Sequence, residues 1–307
     1  MNPEIPPSPK GPPSNEQLAQ AEILDGREAK DLISSARLFQ FSGGEIMAGT
    51  DKGIDYKNCN EDRVVISPRD GFVAVVDGMG GEGDGELAAQ ILAEELLALP
   101  SDAKSVKYEA QLKMNRKNIE TGGAVFISAQ FSQDENGKFL NIVQAGDAKL
   151  IVVSGDGTVS FESEDDSLVA DLTKWGDITS DEALFDNRRH VVTNAISPSE
   201  EKDPKSYPRV RVQTKDLILL YSDGISDNFT SEEIAKKVKE GLSRDELFAW
   251  LSDATGERMK NYYKIIGKEA GERQRVIKAR EKRGVFSDGF KSKPKKDNRA
   301  LVIMEVK

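Results

Sequence analysis

Four short acidic motifs stand at the ends of strand-like apolar runs: Asn60-Glu61-Asp62 before RVVIS, Asp77-Gly78 after FVAVV, Asp223-Gly224 after LILLYS, and Asp297-Asn298 before ALVIMEV. One carboxylate at a strand end is commonplace. Four such ends, two with Gly directly behind the Asp, point to a sheet rim that gathers oxygen ligands. An Asp ending a buried strand projects from the rim, and Gly78 behind Asp77 lets the backbone come close enough for its carbonyl to serve as a ligand. Asp227 lies one helical turn beyond Asp223, so the two carboxylates can face the same side. Taken singly, each motif also reads as an ordinary turn, and Asp227 as a residue favourable near a helix start. Together, carboxylates, a carbonyl and water are the ligand set of Mg²⁺ or Mn²⁺, whereas zinc usually brings His or Cys. Two such ions about 3.5–4 Å apart activate water and stabilise both entering and leaving oxygens of a phosphoryl transfer. That chemistry needs no Ser, Cys or His nucleophile.

The rest of the composition agrees by exclusion. The 307 residues hold one cysteine, Cys59, and one histidine, His190. A cysteine-based zinc site, a multi-histidine site and an internal disulfide are therefore ruled out. No G-x-S-x-G elbow accompanies His190, and a Cys59–His190 pair is a weak alternative to Cys59 as a small half-buried residue. No apolar run reaches the roughly 18 residues of a spanning helix, and the N-terminus lacks the basic-then-apolar order of a secretory signal. A soluble cytoplasmic protein is the expectation. The formal charge of −10 is unevenly spread. Fourteen Lys/Arg face five Asp/Glu from Glu257 to Lys296, while thirteen acids face three bases from Asp134 to Asp186. Such polarity concerns partners and steering.

These motifs need elements to position them. Residues 1 to about 14 are Pro-rich and read as a disordered tail. Residues 15–37 read as a helical lead-in, so that 1–37 precede a domain over 38–307. GEIMAGTDKGIDYKNCNEDRVVIS reads as two strands around a polar turn, and GFVAVVDG as a strand stopping at Asp77. ELAAQILAEELLAL has apolar positions at helical spacing. GGAVFISAQFS and FLNIVQAGDAKLIVVSGDGTVSFES read as hairpin strands, and the acidic stretch 162–190 as a surface excursion. VRVQTKDLILLYSDG is strand, turn, strand. SEEIAKKVKEGL is a helix capped by Thr230 or Ser231, and RDELFAWLSDA is another. A basic helical and loop insertion follows at about 256–296, and NRALVIMEV closes the chain as a strand. Strands mixed with helix pairs, without βαβ alternation, predict an α+β layered domain.

The ordered set Asn60-Glu61-Asp62, Asp77-Gly78-Met79-Gly80-Gly81, Gly146-Asp147-Ala148-Lys149, Asp223-Gly224-Ile225-Ser226-Asp227 and Asp297-Asn298 resembles the type 2C metal-dependent serine/threonine protein phosphatases, in their bacterial form. Thr121-Gly122-Gly123-Ala124 is similar to the family's small-residue strand before its G-D-S-R segment. The resemblance spans roughly residues 40–307. It implies a four-layer α-β-β-α sandwich, two antiparallel sheets flanked by helices, with a binuclear Mn²⁺/Mg²⁺ site at one end. By motif position, Asp77 would bridge both ions, Asp223 and Asp297 would hold the first, and Glu61 with the Gly78 carbonyl the second. Asp147 and Asp227 match positions that, with Asp223, form a third, weaker site in many bacterial members. Asp62 and Asn298 are supporting residues. The implied activity is hydrolysis of phosphoserine and phosphothreonine in proteins through a metal-bridging hydroxide, countering a serine/threonine kinase.

The chain departs from the pattern in places. Lys57 stands where many members carry a phosphate-binding Arg, keeping the charge but losing the bidentate fork. Met79 stands where some members have a His, and Glu82 where bacterial members often have one. The basic insertion lengthens the usual link before Asp297 and reads either as a solvated, lysine-rich helix and loop or as a docking surface for an acidic partner. Aromatic interleaving there is too thin for a nucleic-acid platform. Two alternatives stay open on the sequence: a degenerate phosphatase fold acting as a binding or regulatory module, and a small-molecule phosphoesterase. Retention of Asp77, Asp223 and Asp297 speaks against the first, because carboxylates that repel one another are costly to keep without a metal to hold.

Overall fold

The computed structural model describes residues 20–53, 59–80, 84–179, 183, 186, 188–260 and 297–307. Apolar runs without alternation, such as LILLY and RALVIMEV, are what a strand needs when both its faces are covered. Among the described residues such runs form two antiparallel sheets. The first holds β1 (Glu22–Leu24), β4 (Arg63–Ser67), β5 (Phe72–Met79), β6 (Gly123–Asp134), β7 (Gly137–Ala145) and β10 (Lys205–Ser206) in the order β1-β4-β5-β6-β7-β10, with β11 (Val210–Val212) also paired to β7. The second holds β2 (Arg37–Phe41), β3 (Gly44–Asp51), β8 (Lys149–Val153), β9 (Val159–Glu162), β12 (Leu217–Tyr221) and β13 (Arg299–Val306) in the order β2-β3-β13-β12-β8-β9.

Alternate residues of each central strand serve two cores. Val73 and Val75 of β5 meet Ile218 and Leu220 of β12 and Val302 and Met304 of β13 between the sheets. Ala74 and Val76 face outward, onto helix α2 (Asp84–Ala98) through Ala88 and Leu92, and α3 (Ala103–Arg116) through Val106 and Ala110. On the other side, Leu219, Tyr221, Leu301 and Ile303 pack against two helices. These are α6 (Ser231–Lys239) and α7 (residues 244–260), α6 contributing Ile234 and Val238, α7 Leu247, Phe248 and Leu251. The predicted four-layer sandwich is what forms. Thr230 caps α6 in a full capping box with Glu233. Two shorter helices, α4 (Leu168–Trp175) and α5 (Asp223–Ser226), lie in the excursion after β9 and directly after β12.

Some local expectations change. Among its described residues, from 20 to 37, the lead-in is helical only in α1 (Leu32–Ser35), and Glu22–Leu24 is an edge strand with Leu24 opposite Val64. The open edge of β4 offers this segment backbone partners and two apolar layers, which outweigh its weak helical propensity. The sheet domain therefore begins by Glu22 rather than at 38. VRVQTKDLILLYSDG is strand, turn, strand, but its halves are not a hairpin: β11 joins β7 in one sheet and β12 joins β13 and β8 in the other. The Pro-rich tail, Lys57, Glu82 and the basic insertion beyond residue 260 lie outside the described residues.

Candidate metal centre

Antiparallel pairing decides where the motifs go. Arg63 at the start of β4 lies opposite Val76 near the end of β5, so Glu61 comes level with Gly78, whose amide donates to the Glu61 carbonyl at 3.2 Å. In the second sheet Tyr221 at the end of β12 lies opposite Leu301 near the start of β13. Lys149, just after Gly146-Asp147-Ala148, lies opposite Tyr221. All five motifs thus reach one end of the sandwich. Apart from the pairing that aligns them, none is local to another in sequence.

Cross-sheet hydrogen bonds then stitch this rim together. Asn298 accepts the Glu61 amide on its side-chain oxygen at 2.9 Å and donates to the Lys52 carbonyl at 3.1 Å, linking Asp297-Asn298 to Asn60-Glu61-Asp62. The Ser222 hydroxyl donates to Asp62 at 2.6 Å and accepts the Ala300 amide at 2.9 Å. Ser222 is the N-cap residue of α5 but spends its oxygen on this link instead of on the helix. The Asp227 amide closes the first turn after Asp223, donating to its carbonyl at 2.9 Å. Behind the rim, Arg63 is wholly buried and donates to the carbonyls of Asn60 (2.7 Å) and Asp62 (2.9 Å), to Gln90 (2.9 Å), and to Glu86 (3.3 Å) on α2.

The expected ligand residues differ in burial. Glu61 and Asp223 are buried, while Asp77, Asp147, Asp227 and Asp297 are half-buried. Gly78 has no room for a side chain, since a Cβ there would run into the Gly85 carbonyl and come within 2.9 Å of that of Glu61. A Cβ on Gly85 would lie 3.1 Å from the Glu61 carboxylate oxygen, so the start of α2 sits directly against that carboxylate. Met79, the last residue of β5, packs on the inter-sheet core.

Burial first, and neighbouring carboxylates second, raise the pKa of two of the rim's acids. Burial, with Asp297 and Asp51 adding to it, pushes Asp62 well above the usual carboxylate range against the pull of Ser222 and Arg63. Burial pushes Asp227 up to about 6, opposed by Arg189 and reinforced by Asp297 and Asp165. Arg189 lies 3.6 Å from Asp227, reaching in from the excursion between β9 and β10. Lys149 has the opposite environment. Burial disfavours its ammonium, but Asp165 (3.4 Å), Tyr221 and Glu162 (3.3 Å) hold it protonated above the usual lysine value.

An all-oxygen donor set, crowded carboxylates and a backbone tight enough to present a carbonyl fit a hard divalent cation. Among the described residues, no three Asp, Glu, His or Cys side chains form a closed metal-holding group. Sequence reasoning did not single out Ser222, Arg63, Asp165 or Arg189. A charged residue opening an apolar strand was the one available signal for Arg63. Nothing in the sequence ties Ser222 to Asp62, 160 positions away.

The chain has relatives among known proteins. It is 28% identical over 207 residues to the serine/threonine protein phosphatase PstP of Mycobacterium tuberculosis, covering 62% of this chain and 38% of that protein. It is also 28% identical over 189 residues to the serine/threonine phosphatase stp of Listeria welshimeri, covering 57% of this chain and 74% of the relative. In structure it matches the catalytic domain of PstP in complex with two manganese ions, at a TM-score of 0.60 and 22% identity over 85% of this chain and 97% of that one. No protein-family model matches the chain. The fold is that of the type 2C phosphatases, and the chain is a bacterial-type relative of them. It spans 38% of the length of the M. tuberculosis relative.

Proposed function

We propose that this chain is a metal-dependent protein serine/threonine phosphatase. The observation that carries the reading is the rim itself: four acidic motifs, distant in sequence, are linked by hydrogen bonds within and between the two sheets into one oxygen-rich end. In this reading Asp223 and Asp297 hold one Mn²⁺ or Mg²⁺, Glu61 and the Gly78 carbonyl a second, and Asp77 both. When bound, such a pair of ions activates water and neutralises charge on the phosphoryl group. The protein's own part is to fix the ligands. Asn298 holds the Glu61 backbone, Ser222 holds Asp62, and the Gly78 amide is tied to Glu61. Lys57 would orient the substrate phosphate, and Asp147 with Asp227 would serve a third, weaker ion.

The substrate class is phosphoserine or phosphothreonine in proteins, in opposition to a kinase. The net-positive segment 256–296 is the docking surface for an acidic partner, and the location is cytoplasmic, where a single cysteine stays reduced. The test is phosphate release from a phosphoserine peptide and from an aryl phosphate. Activity should appear with Mn²⁺, vanish with EDTA and be abolished by Asp297→Asn. Purified folded protein that releases no phosphate from either substrate with Mn²⁺ ends this reading.

A further inference from the structure

The segment before the first long strand makes contacts that an N-terminal lead-in does not need. Asp25 offers its carbonyl to the Asn60 side-chain amide at 2.8 Å, and the same amide reaches Thr50 at 2.9 Å. The other end of that side chain accepts the Asp62 amide at 3.1 Å. Asn60 is thereby clamped from outside, and it in turn holds the residue next to Glu61. Two positions on, Arg27 pairs with Glu86 at 2.9 Å. Glu86 is also the partner of buried Arg63, which donates to the carbonyls on both sides of Glu61. One end of the segment thus grips the Glu61 loop directly, and the other grips it through α2.

The turn between these grips is built for close approach. Gly26 has φ +52°, and a Cβ there would run into the Thr50 carbonyl and stand 3.1 Å from the Asn60 amide nitrogen. Upstream, β1 is held by pairing with β4 and by Leu24 in the inter-sheet core. The segment is therefore anchored at β1 and applies its contacts at Asp25 and Arg27.

We propose that residues Glu22–Arg27 form a strap that positions the Glu61 loop and so sets the affinity for the divalent cation that Glu61 helps to hold. Asp25, through its carbonyl, and Arg27 are positioning residues: neither is a ligand, and both act on the loop that carries one. The inference rests on the two-ion reading given above. Partners behind a metal ligand commonly shift affinity tenfold or more when removed, whereas an ion pair as exposed as Arg27–Glu86 shifts it less.

The experiment is Mn²⁺ calorimetry on the full chain, with amide hydrogen exchange at Asp62 in EDTA as a metal-free readout. Gly26→Ala should weaken one Mn²⁺ site by about tenfold and speed exchange at Asp62. Arg27→Gln should weaken the same site roughly two- to fivefold, with recovery in Arg27→Lys. The other site should keep its affinity. If Gly26→Ala does not fold, the Arg27 pair carries the test. Folded Arg27→Gln that binds both ions as the wild type does, with unchanged exchange at Asp62, overturns the strap and leaves the two-ion reading standing. Wild-type protein that binds no Mn²⁺ overturns both.

Discussion

Replacing Asn298 by Ala tests how the rim is assembled, because this side chain joins the last strand to the Glu61 loop. Two hydrogen bonds disappear: Glu61 N–H to Asn298 Oδ1 at 2.9 Å, and Asn298 Nδ2 to the Lys52 carbonyl at 3.1 Å. They are not equal losses. Lys52 is exposed, so water can take over at its carbonyl and that bond contributes little. Glu61 is 4% exposed, so its amide is left buried without an acceptor, at about 1–3 kcal/mol. The expected loss is about 2 kcal/mol, dominated by the Glu61 amide. At a urea slope of ~3 kcal/mol/M this lowers the midpoint by roughly 0.7 M. The same change frees the backbone that carries a proposed ligand, so Mn²⁺ affinity should fall by about 10- to 100-fold. Urea unfolding in EDTA reads the first quantity and calorimetry the second. A variant that melts within about 0.5 kcal/mol of wild type and binds Mn²⁺ equally well would refute the cross-sheet account of the rim.

Other predictions test separate parts of the structure. Ser222→Ala leaves Asp62 without its hydroxyl donor and the Ala300 amide without that acceptor, both buried, and should cost about 3 kcal/mol by urea unfolding in EDTA; a loss under about 1 kcal/mol would show that the link contributes nothing special. Arg189→Gln removes the guanidinium 3.6 Å from Asp227 and should tighten the third, weakest Mn²⁺ binding event in calorimetry. An unchanged affinity for that ion would count against Asp227 as a cation ligand. Far from the rim, burial pushes the Glu45 carboxyl up, but Lys307 and Arg244 together outweigh it and hold the group below its ordinary value of 4.5. A depressed folded-state pKa gives stability that is present above 4.5 and lost as pH falls through the lower folded value. Glu45→Gln should cost about 3 kcal/mol at neutral pH, and the gap to wild type should close on acidification below that range. A gap that stays constant with pH would sink the assignment.

How much of this was legible beforehand follows from which interactions are local. Strand ends with Asp-Gly, the α2 and α6 periodicities and the Thr230 cap depend on neighbours a few residues away, so the sequence carries them. The identity of the acidic motifs and their order pointed to the layered fold and to oxygen ligands. The lead-in misled because three residues, Glu22–Leu24, have no intrinsic preference strong enough to compete with an open sheet edge. Ser222 and Arg63 escaped notice because their partners are far away in sequence or are backbone carbonyls, which leave no residue signature.

By itself, then, the sequence determined the chemistry available at each strand end: carboxylates, flexible glycines, and almost no histidine or cysteine. Only the tertiary structure decided that these ends meet. Antiparallel register brings Glu61 level with Gly78 and Asp223 level with Arg299, and hydrogen bonds from Asn298 and Ser222 close the gap between the sheets. That step rests on contacts between residues 160 and 237 positions apart. Chain closure over such separations is paid for by burial of the whole sandwich core, which no local pattern encodes.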